Sequence, residues 1–308
     1  MAPIPLTQGG PTDGGNYEEA WEGEYVRTHF LSDVGKKRRK NEDSCIMCVP
    51  QDAAMREARG ILFAVADGMG GATAGEHASR QTLETIIDYY YAGHADEPTV
   101  DVPVRLKEAV ETANLHLFEE AEQDPERHGM GTTVSVVLVH GDCAYIAQVG
   151  DSRVYVAPSE SGMVQITDDH SHVADLVREG DLSEEEARNH PQRNLITRAV
   201  GIKDTVEVDL FAFRLRKDDT LLICSDGLSG LVGDTEIAKS LAMDSLQGAA
   251  RLLVGRALTN GGTDNVTAVL LRLTGPPPRH DLKGSATEVR LPRAGLLDRL
   301  KGILYHSH

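Results

Sequence analysis

The segment TTVSVVLVHGDCAYIAQVGDSRVYVA, residues 132–157, decides the fold class. Three runs in it, rich in β-branched and aromatic residues, predict strands, and they are Thr132–His140, Cys143–Val149 and Arg153–Ala157. Only Gly141-Asp142 joins the first run to the second, and Gly150-Asp151-Ser152 joins the second to the third. Links this short indicate antiparallel hairpins, because a parallel crossover needs a dozen or more residues. The segment therefore predicts an antiparallel sheet.

Further strands and helices are predicted on either side of this segment. Seven short apolar runs predict strands, and they are Tyr25–Leu31, Ser44–Val49, Ile61–Ala66, Met163–Ile166, Asp209–Leu215, Thr220–Cys224 and Asn265–Leu273. Apolar residues at helical spacing predict two consecutive helices, marked by Leu83, Ile86, Ile87 and Tyr90 and by Leu106, Val110, Ala113 and Leu117. Another amphipathic stretch runs from Ile237 to Leu253. Because the helices come as a pair, we expect an α+β protein with antiparallel sheets flanked by helices, not a doubly wound parallel sheet.

The two ends of the chain differ in composition from its middle. Residues 1–24 are rich in Gly, Pro and polar residues, which predicts a flexible lead-in. The domain is expected to span residues 25–274, since Gly275-Pro276-Pro277-Pro278 stops any strand. The tail, residues 275–308, has six basic and three acidic residues. It contains an apolar stripe at helical spacing, formed by Leu296, Leu297, Leu300, Ile303 and Leu304. This stripe packs on its own domain, frays, or docks on a partner kinase or a membrane surface.

Charge and composition exclude several classes of protein. The 308 residues include 31 Lys and Arg against 48 Asp and Glu, a formal net charge of −17 that argues against nucleic-acid binding. No apolar run approaches the roughly 20 residues of a membrane-spanning helix. The four cysteines are expected to be core-packing thiols, with Cys45 and Cys48 on opposite strand faces. We expect a cytoplasmic protein, without disulfides, and a monomer.

Aspartates stand at the ends of five predicted strands, and they are Asp43, Asp67, Asp151, Asp226 and Asp264. Each one alone is most simply explained as a turn residue. Together they indicate carboxylates that converge at one edge of a buried pair of sheets, where a divalent cation would relieve their repulsion. Oxygen ligands favour Mg²⁺ or Mn²⁺ over zinc. The sequence thus predicts a metal centre.

Two neighbouring features support this centre. Gly68, Gly70 and Gly71 follow Asp67 and leave backbone groups exposed beside it, although a plain flexible loop would have the same composition. The basic run at residues 36–40 abuts the acidic pair Glu42-Asp43. A basic run is usually a solvated face, but a guanidinium beside metal ions would match the oxygens of a phosphoryl group.

Six motifs occur in the order of one known family, and they are Asp33-Val-Gly-Lys-Lys-Arg38-Arg-Lys-Asn41-Glu42-Asp43, Asp67-Gly68-Met-Gly70-Gly71, Gly131-Thr132-Thr133, Gly150-Asp151-Ser152-Arg153, Ser225-Asp226-Gly227-Leu228 and Gly262-Thr263-Asp264-Asn265-Val266-Thr267. With these motifs the chain resembles the metal-dependent protein phosphatases of the PPM family, the type 2C serine/threonine phosphatases, in their bacterial form. The resemblance covers about Tyr25 to Leu273. It implies a four-layer α-β-β-α sandwich around two central antiparallel sheets.

The resemblance also implies a centre for two Mg²⁺ or Mn²⁺ ions, with a third, weaker site. By matched position, Asp43, Asp67 and the Gly68 carbonyl bind one ion, and Asp67 bridges to the second, which Asp226 and Asp264 complete.

Further roles follow from the same matched positions. Glu42 acts through metal-bound water, and Asp151 forms the third site with Asp226. Arg38 matches the phosphate-binding arginine. The polar insertion at about 167–195, with a capping box at Ser183-Glu184-Glu185-Glu186, matches the family's flap.

The implied function is hydrolysis of phosphoserine and phosphothreonine on proteins, serine/threonine kinases among them, by direct attack of a water that bridges the metals. Two alternatives stay open, a silent relative that only binds phosphoproteins and a phosphatase of small phosphate esters. Met69 stands where many eukaryotic members have a proposed general-acid histidine. His170 and His172 in the flap are candidate proton donors, or else a metal-bound water donates and both are surface residues.

Overall fold

A computed structural model describes residues 6–71, 74–92, 101–158 and 162–275. Its strands are β1 (Leu6–Gly10), β2 (Tyr17–Glu22), β3 (Val26–Asp33), β4 (Asp43–Val49), β5 (Ile61–Met69), β6 (Gly131–Thr132), β7 (Val134–His140), β8 (Cys143–Val149), β9 (Arg153–Ala157), β10 (Val164–Gln165), β11 (Asp209–Arg214), β12 (Thr220–Cys224) and β13 (Val266–Leu273). Its helices are α1 (Ala53–Arg59), α2 (Ala74–Ile87), α3 (Val102–Gln123), α4 (His172–Glu179), α5 (Glu184–Asn189), α6 (Asp226–Ser229), α7 (Asp234–Leu241) and α8 (Leu246–Thr259). A π-helical turn, Asp88–Ala92, follows α2. The ten predicted strands are confirmed, with small shifts at their ends.

The strands form two antiparallel sheets. The first has the order β1-β4-β5-β7-β8-β11, with β6 paired to β5, and the second has the order β10-β9-β12-β13-β3-β2. In the hairpin of β7 and β8, His140 pairs with Cys143 across the two-residue link. The antiparallel sheet predicted from this segment is therefore confirmed.

Three apolar cores separate four layers. One core lies between the two sheets and contains Phe30, Phe63 and Phe213. A second lies between the first sheet and helices α2 and α3, and a third between the second sheet and helices α6 to α8. The expected α-β-β-α sandwich is confirmed. Cys45 lies in the core between the sheets and Cys48 in the core under α2 and α3, so the two thiols do face opposite ways.

The expectation of a flexible lead-in over residues 1–24 is wrong for the part that the structure describes, residues 6–24. Strand β1 pairs with β4 along its whole length, and β2 pairs with β3. Both are edge strands, and β2 alternates half-buried with exposed residues. Besides the backbone pairing, Leu6, Tyr17 and Trp21 pack against the core between the sheets. Composition does not reveal backbone pairing of this kind, because few apolar side chains are needed for it.

The C-terminal half follows the predicted order. The amphipathic stretch from Ile237 to Leu253 forms two helices, α7 and α8, because the Ser245 side chain accepts a hydrogen bond from the Gly248 N–H and starts a new helix. Strand β13 ends at Leu273, and the apolar stripe of the tail lies outside the described residues. No helix in the described part of the chain combines the length and the apolar character needed to cross a bilayer.

The flap contains helices α4 and α5. The Ser183 side chain accepts a hydrogen bond from the Glu186 N–H, and the Glu186 carboxylate accepts one from the Ser183 N–H. The predicted capping box is therefore confirmed, and it starts α5.

Candidate metal centre

The predicted aspartates lie at one edge of the sandwich. In antiparallel sheets the start of one strand lies beside the end of its neighbour. Asp43 begins β4, Asp67 lies near the end of β5, and Asp151 lies between β8 and β9. Asp226 follows β12, and Asp264 comes just before β13. Residues far apart in sequence therefore meet at this edge.

Asp43 is the most enclosed of these carboxylates. Its backbone lies directly opposite Asp67 in the pairing of β4 with β5, and it is 1% exposed. Its Oδ2 accepts hydrogen bonds from Ser225 Oγ at 2.8 Å and Thr267 Oγ1 at 2.6 Å, both from the other sheet. Burial raises the pKa of Asp43 to about 7, against the effect of the two hydroxyls and with the help of the Asp226 carboxylate.

Asp67 lies at the centre of the group. Its N–H donates to Thr133 Oγ1 at 3.0 Å, and its carbonyl accepts from the Thr133 N–H at 2.9 Å, which fixes its backbone. Burial raises the pKa of Asp67 well above its usual range, and the carboxylates of Asp43, Asp226, Asp264 and Asp151 raise it further. Negative charge is thus concentrated around one side chain.

Asp226 is placed by a close approach of two backbones. It begins α6, and a Cβ on the next residue, Gly227, would lie 1.9 Å from the Asn265 carbonyl oxygen, so only glycine fits there. Burial and the Asp264 carboxylate raise the pKa of Asp226, while a hydrogen bond with Asp67 opposes the rise. Burial also raises the pKa of Asp151, together with the nearby carboxylates of Asp226 and Asp169.

The chemistry of these donors fits Mg²⁺ or Mn²⁺. Asp43 Oδ1, Asp151 Oδ1 and Asp226 Oδ1 are buried carboxylate oxygens without a hydrogen-bond partner, which is costly unless a cation neutralises them. Within the described residues, no three Asp, Glu, His or Cys side chains form a complete cage for one ion. Mg²⁺ needs no such cage, because it keeps several waters and uses one or two carboxylates.

Glu42 and Gly68 lie beside Asp67. Glu42 is buried, and its N–H donates to Asn265 Oδ1 at 2.9 Å. Burial raises the pKa of Glu42, and the Arg38 charge opposes the rise. A Cβ at Gly68 would lie 2.0 Å from the Gly75 carbonyl oxygen, so this position also needs glycine.

Arg38 completes the set of predicted residues. Its Nη2 donates to Asp264 Oδ2 at 2.9 Å, and 47% of its side chain is exposed. Hydrogen bonding to Asp264 raises the pKa of Arg38, so the guanidinium stays charged. The predicted residues, from Arg38 to Asp264, therefore gather at a single edge. The Arg38 guanidinium lies on the solvent side of the carboxylates.

Four further residues hold the carboxylates in place and were not predicted from the sequence. Ser225, Thr267, Thr133 and Asn265 all belong to the quoted motifs, but no role was predicted for them. Thr267 is fully buried near the start of β13, a strand whose other residues are apolar except Arg272. A buried hydroxyl in that position was the available signal, because it requires a hydrogen-bond partner.

His170 does not lie on the surface, contrary to one of the sequence-based alternatives. It is 2% exposed, and its Nδ1 accepts the Gly150 N–H at 3.0 Å. Its Nε2 lies 3.3 Å from Asp209 Oδ2, and Arg198 Nη1 also contacts it. Because the flap is polar in composition, the sequence did not predict that His170 is buried. Both ring nitrogens are engaged, and the flap is fastened beside the turn that carries Asp151. His172 is partly exposed.

The chain is similar in sequence and structure to known proteins. The family model "Protein phosphatase 2C" matches residues 34–258. The chain is 34% identical over 247 residues to the serine/threonine phosphatase stp of Listeria welshimeri, covering 80% of this chain and 95% of that protein. The structure is similar to that of the serine/threonine phosphatase Stp1 from Staphylococcus aureus, with a TM-score of 0.74, 37% identity and coverage of 82% and 97%. It is also similar to the catalytic domain of the serine threonine protein phosphatase PstP in complex with 2 manganese ions, with a TM-score of 0.69, 35% identity and coverage of 81% and 99%.

Proposed function

The chain belongs to the protein phosphatase 2C family, and from that premise we propose that it hydrolyses phosphoserine and phosphothreonine on proteins with two Mg²⁺ or Mn²⁺ ions. The observation that carries this proposal is the group of buried, partnerless carboxylate oxygens at one edge of the sandwich. When bound, such ions supply Lewis-acid activation of water and of phosphoryl oxygens.

Each residue at the edge has a proposed role. Asp43, Asp67 and the Gly68 carbonyl would hold one ion. Asp67, Asp226 and Asp264 would hold the other.

The remaining roles concern water, a further ion and the substrate. Glu42 would act through water on the metals, and Asp151 with Asp226 would hold a third, weaker ion. Arg38, half exposed beside Asp264, would bind the phosphoryl oxygens in a bidentate manner. The guanidinium and the ions would together stabilise the negative charge that develops at phosphorus.

The proton donor for the leaving oxygen is neither Met69 nor His170. Methionine carries no transferable proton. His170 uses Nδ1 to accept the Gly150 N–H, so a neutral ring carries its proton on Nε2, the nitrogen that faces Asp209 in the buried flap contact. We propose that solvent at the ion site would supply this proton, with the partly exposed His172 as the protein group to test against it.

Phosphorylated proteins in the cytoplasm, serine/threonine kinases among them, are the proposed substrates. The four cysteines are free and buried, which suits a reducing compartment. Relatives named serine/threonine phosphatases support the substrate class.

The proposal is tested by turnover of a phosphothreonine peptide and of p-nitrophenyl phosphate, each with Mn²⁺ and with a chelator. We expect Mn²⁺-dependent hydrolysis of the peptide, and loss of nearly all activity in Asp67→Asn and Asp226→Asn. Asp244→Asn is the matched control, because Asp244 is exposed between α7 and α8 and should leave turnover unchanged.

Three results would contradict the proposal. Full turnover in Asp67→Asn or Asp226→Asn, or full turnover in the presence of chelator, would refute the site. Binding of the phosphopeptide without turnover would favour the silent relative. Turnover of p-nitrophenyl phosphate alone would favour a phosphatase of small esters.

A further inference from the structure

The connector between β1 and β2, residues 11–16, lies against the loop at residues 34–41 that carries Arg38. We propose that Asn16 in this connector is a positioning residue, which holds the loop where the Arg38 guanidinium can meet the phosphoryl group of the substrate. This inference rests on the proposed phosphate-binding role of Arg38.

Asn16 fixes the start of the loop. Its Oδ1 accepts a hydrogen bond from the Val34 N–H at 2.9 Å, and its Nδ2 donates to Asp33 Oδ2 at 3.0 Å. The other oxygen of that carboxylate, Asp33 Oδ1, accepts the Gly35 N–H at 2.8 Å. One amide side chain thus orders three consecutive residues at the point where β3 gives way to the loop.

The same connector fixes the end of the loop. The Gly14 carbonyl accepts the Asn41 N–H at 2.8 Å, and the Gly15 carbonyl accepts Asn41 Nδ2 at 3.1 Å. Gly14 is buried with a φ of +67°, a conformation that favours glycine. The Pro11 carbonyl accepts Arg80 Nη2 at 3.1 Å, which ties the connector to α2.

Asn265 holds the loop from the opposite side. Its Nδ2 donates to the Val34 carbonyl at 2.8 Å and to the Lys40 carbonyl at 3.0 Å, and the Lys36 N–H donates to the Gly262 carbonyl at 2.8 Å. The loop is therefore held between the connector and the segment before β13. The Arg38 side chain donates a hydrogen bond to Asp264.

A loop of this composition needs such contacts. Residues 36–40 are Lys-Lys-Arg-Arg-Lys, five consecutive cations that repel one another. Without fixed ends the loop would spread, and the guanidinium would spend less time in the productive geometry. Positioning errors of this kind are costly, because the reacting groups must be aligned before they react.

The test compares the steady-state kinetics of Asn16→Ala with those of the unmodified chain, using a phosphothreonine peptide at saturating Mn²⁺. We expect KM, and the inhibition constant of inorganic phosphate, to rise by about threefold to tenfold, the value of roughly one hydrogen bond. The kcat and the Mn²⁺ concentration for half-maximal activity should stay unchanged, since Asn16 touches none of the proposed metal ligands. Asn16 is exposed, so the thermal midpoint should fall by no more than about 4 °C.

Asp13→Ala is the matched control. Asp13 Oδ1 accepts the Gly15 N–H inside the connector, and its loss should leave both constants unchanged. An equal rise of KM in Asp13→Ala would overturn the inference, because it would show a general loosening of the connector.

A double-mutant cycle with Arg38→Ala separates the inference from the role on which it rests. Asn16→Ala should add nothing in the Arg38→Ala background, and an additive effect would overturn the inference. If Arg38→Ala raises KM and Asn16→Ala does not, only this inference fails. If Arg38→Ala leaves KM unchanged, the proposed role of Arg38 fails first, and the inference with it.

Discussion

Thr267 Oγ1 donates a 2.6 Å hydrogen bond to Asp43 Oδ2, so a strand of one sheet holds a carboxylate that belongs to the other. Thr267 also lies 2.7 Å from Ser32 Oγ, and its N–H donates to Ser225 Oγ. Ser225 Oγ in turn donates to the same Asp43 oxygen. The two sheets are thus joined at the candidate metal centre by hydroxyl groups, where the apolar core between them ends. This arrangement leaves Asp43 Oδ1 as the oxygen without a partner.

Replacing Thr267 with valine keeps the shape of the side chain and removes this hydrogen bond. We expect the free energy of unfolding to fall by about 2 kcal/mol, because the bond is made to a buried carboxylate. The Mn²⁺ concentration for half-maximal activity should rise by about tenfold, as happens when a residue that orients a metal ligand is lost. Urea denaturation and an activity titration with Mn²⁺ measure the two effects.

Thr28→Val is the matched control for this prediction. Thr28 Oγ1 donates to the Leu270 carbonyl at 2.8 Å, a buried bond between β3 and β13 that lies wholly within the second sheet. Its loss should cost about 1 kcal/mol of stability and leave the Mn²⁺ titration unchanged. An unshifted titration in Thr267→Val would show that the hydroxyl serves stability alone.

Gly227→Ala tests the close approach beside Asp226. The added Cβ would lie 1.9 Å from the Asn265 carbonyl oxygen, so the backbones of two proposed ligand segments must move apart. We expect a loss of about 1–3 kcal/mol in stability, as in an overpacked core, and a loss of Mn²⁺-dependent activity. Denaturation and turnover measure both.

Gly233→Ala controls for the change of residue type. A Cβ at Gly233 meets nothing within 4 Å. Gly233 is the N-cap of α7, where alanine in place of glycine costs about 1 kcal/mol of stability, and turnover should stay unchanged. Activity in Gly227→Ala equal to that in Gly233→Ala would contradict the prediction.

The sequence carried enough information for the strands, the layers and the aspartates, because each leaves a local pattern. Alternation and short links identify hairpins such as β7-β8, and an aspartate directly after an apolar run needs no knowledge of distant residues. The edge strand β1 leaves no such pattern, because its pairing with β4 depends on backbone groups. The bond between Thr267 and Asp43 joins residues 224 positions apart, and only the folded structure shows which hydroxyl meets which carboxylate.

Asp226→Asn tests the electrostatic cost of the metal centre. In the presence of a chelator, we expect this variant to unfold at a higher temperature than the unmodified chain at pH 8, because one of the mutually repelling carboxylates is gone. The raised pKa of Asp226 gives the direction in which stability changes with pH. Its ionisation in the folded state is unfavourable, so the stability of the unmodified chain falls as pH rises through the folded-state pKa.

Mn²⁺ should reverse this order. An ion at about 100 times its Kd stabilises the unmodified chain by roughly 2.7 kcal/mol, and Asp226→Asn should lose most of that gain. Thermal unfolding of both proteins, with Mn²⁺ and with chelator, measures whether the order of their unfolding temperatures reverses. Equal responses to Mn²⁺ in the two proteins would remove Asp226 from the metal centre.

Asp209→Asn tests the contact that fastens the flap. Burial alone would raise the pKa of Asp209, but hydrogen bonds from His170 and Arg198 lower it to about 2. A carboxylate whose pKa is lowered in the folded state stabilises the protein above its unfolded pKa, and this contribution is lost as pH falls from about 3.8 towards 2. At pH 7 we therefore expect the variant to be less stable by about 2 kcal/mol.

Urea denaturation of both proteins at pH 7 and at pH 3 measures this contribution, and the difference between them should shrink at the lower pH. Glu207→Gln is the matched control, because Glu207 pairs with the same Arg198 but is 66% exposed. Solvent screens such a pair, and its loss should cost less than about 1 kcal/mol at either pH. A stability difference for Asp209→Asn that stays constant between the two pH values would show that its charge does not fasten the flap.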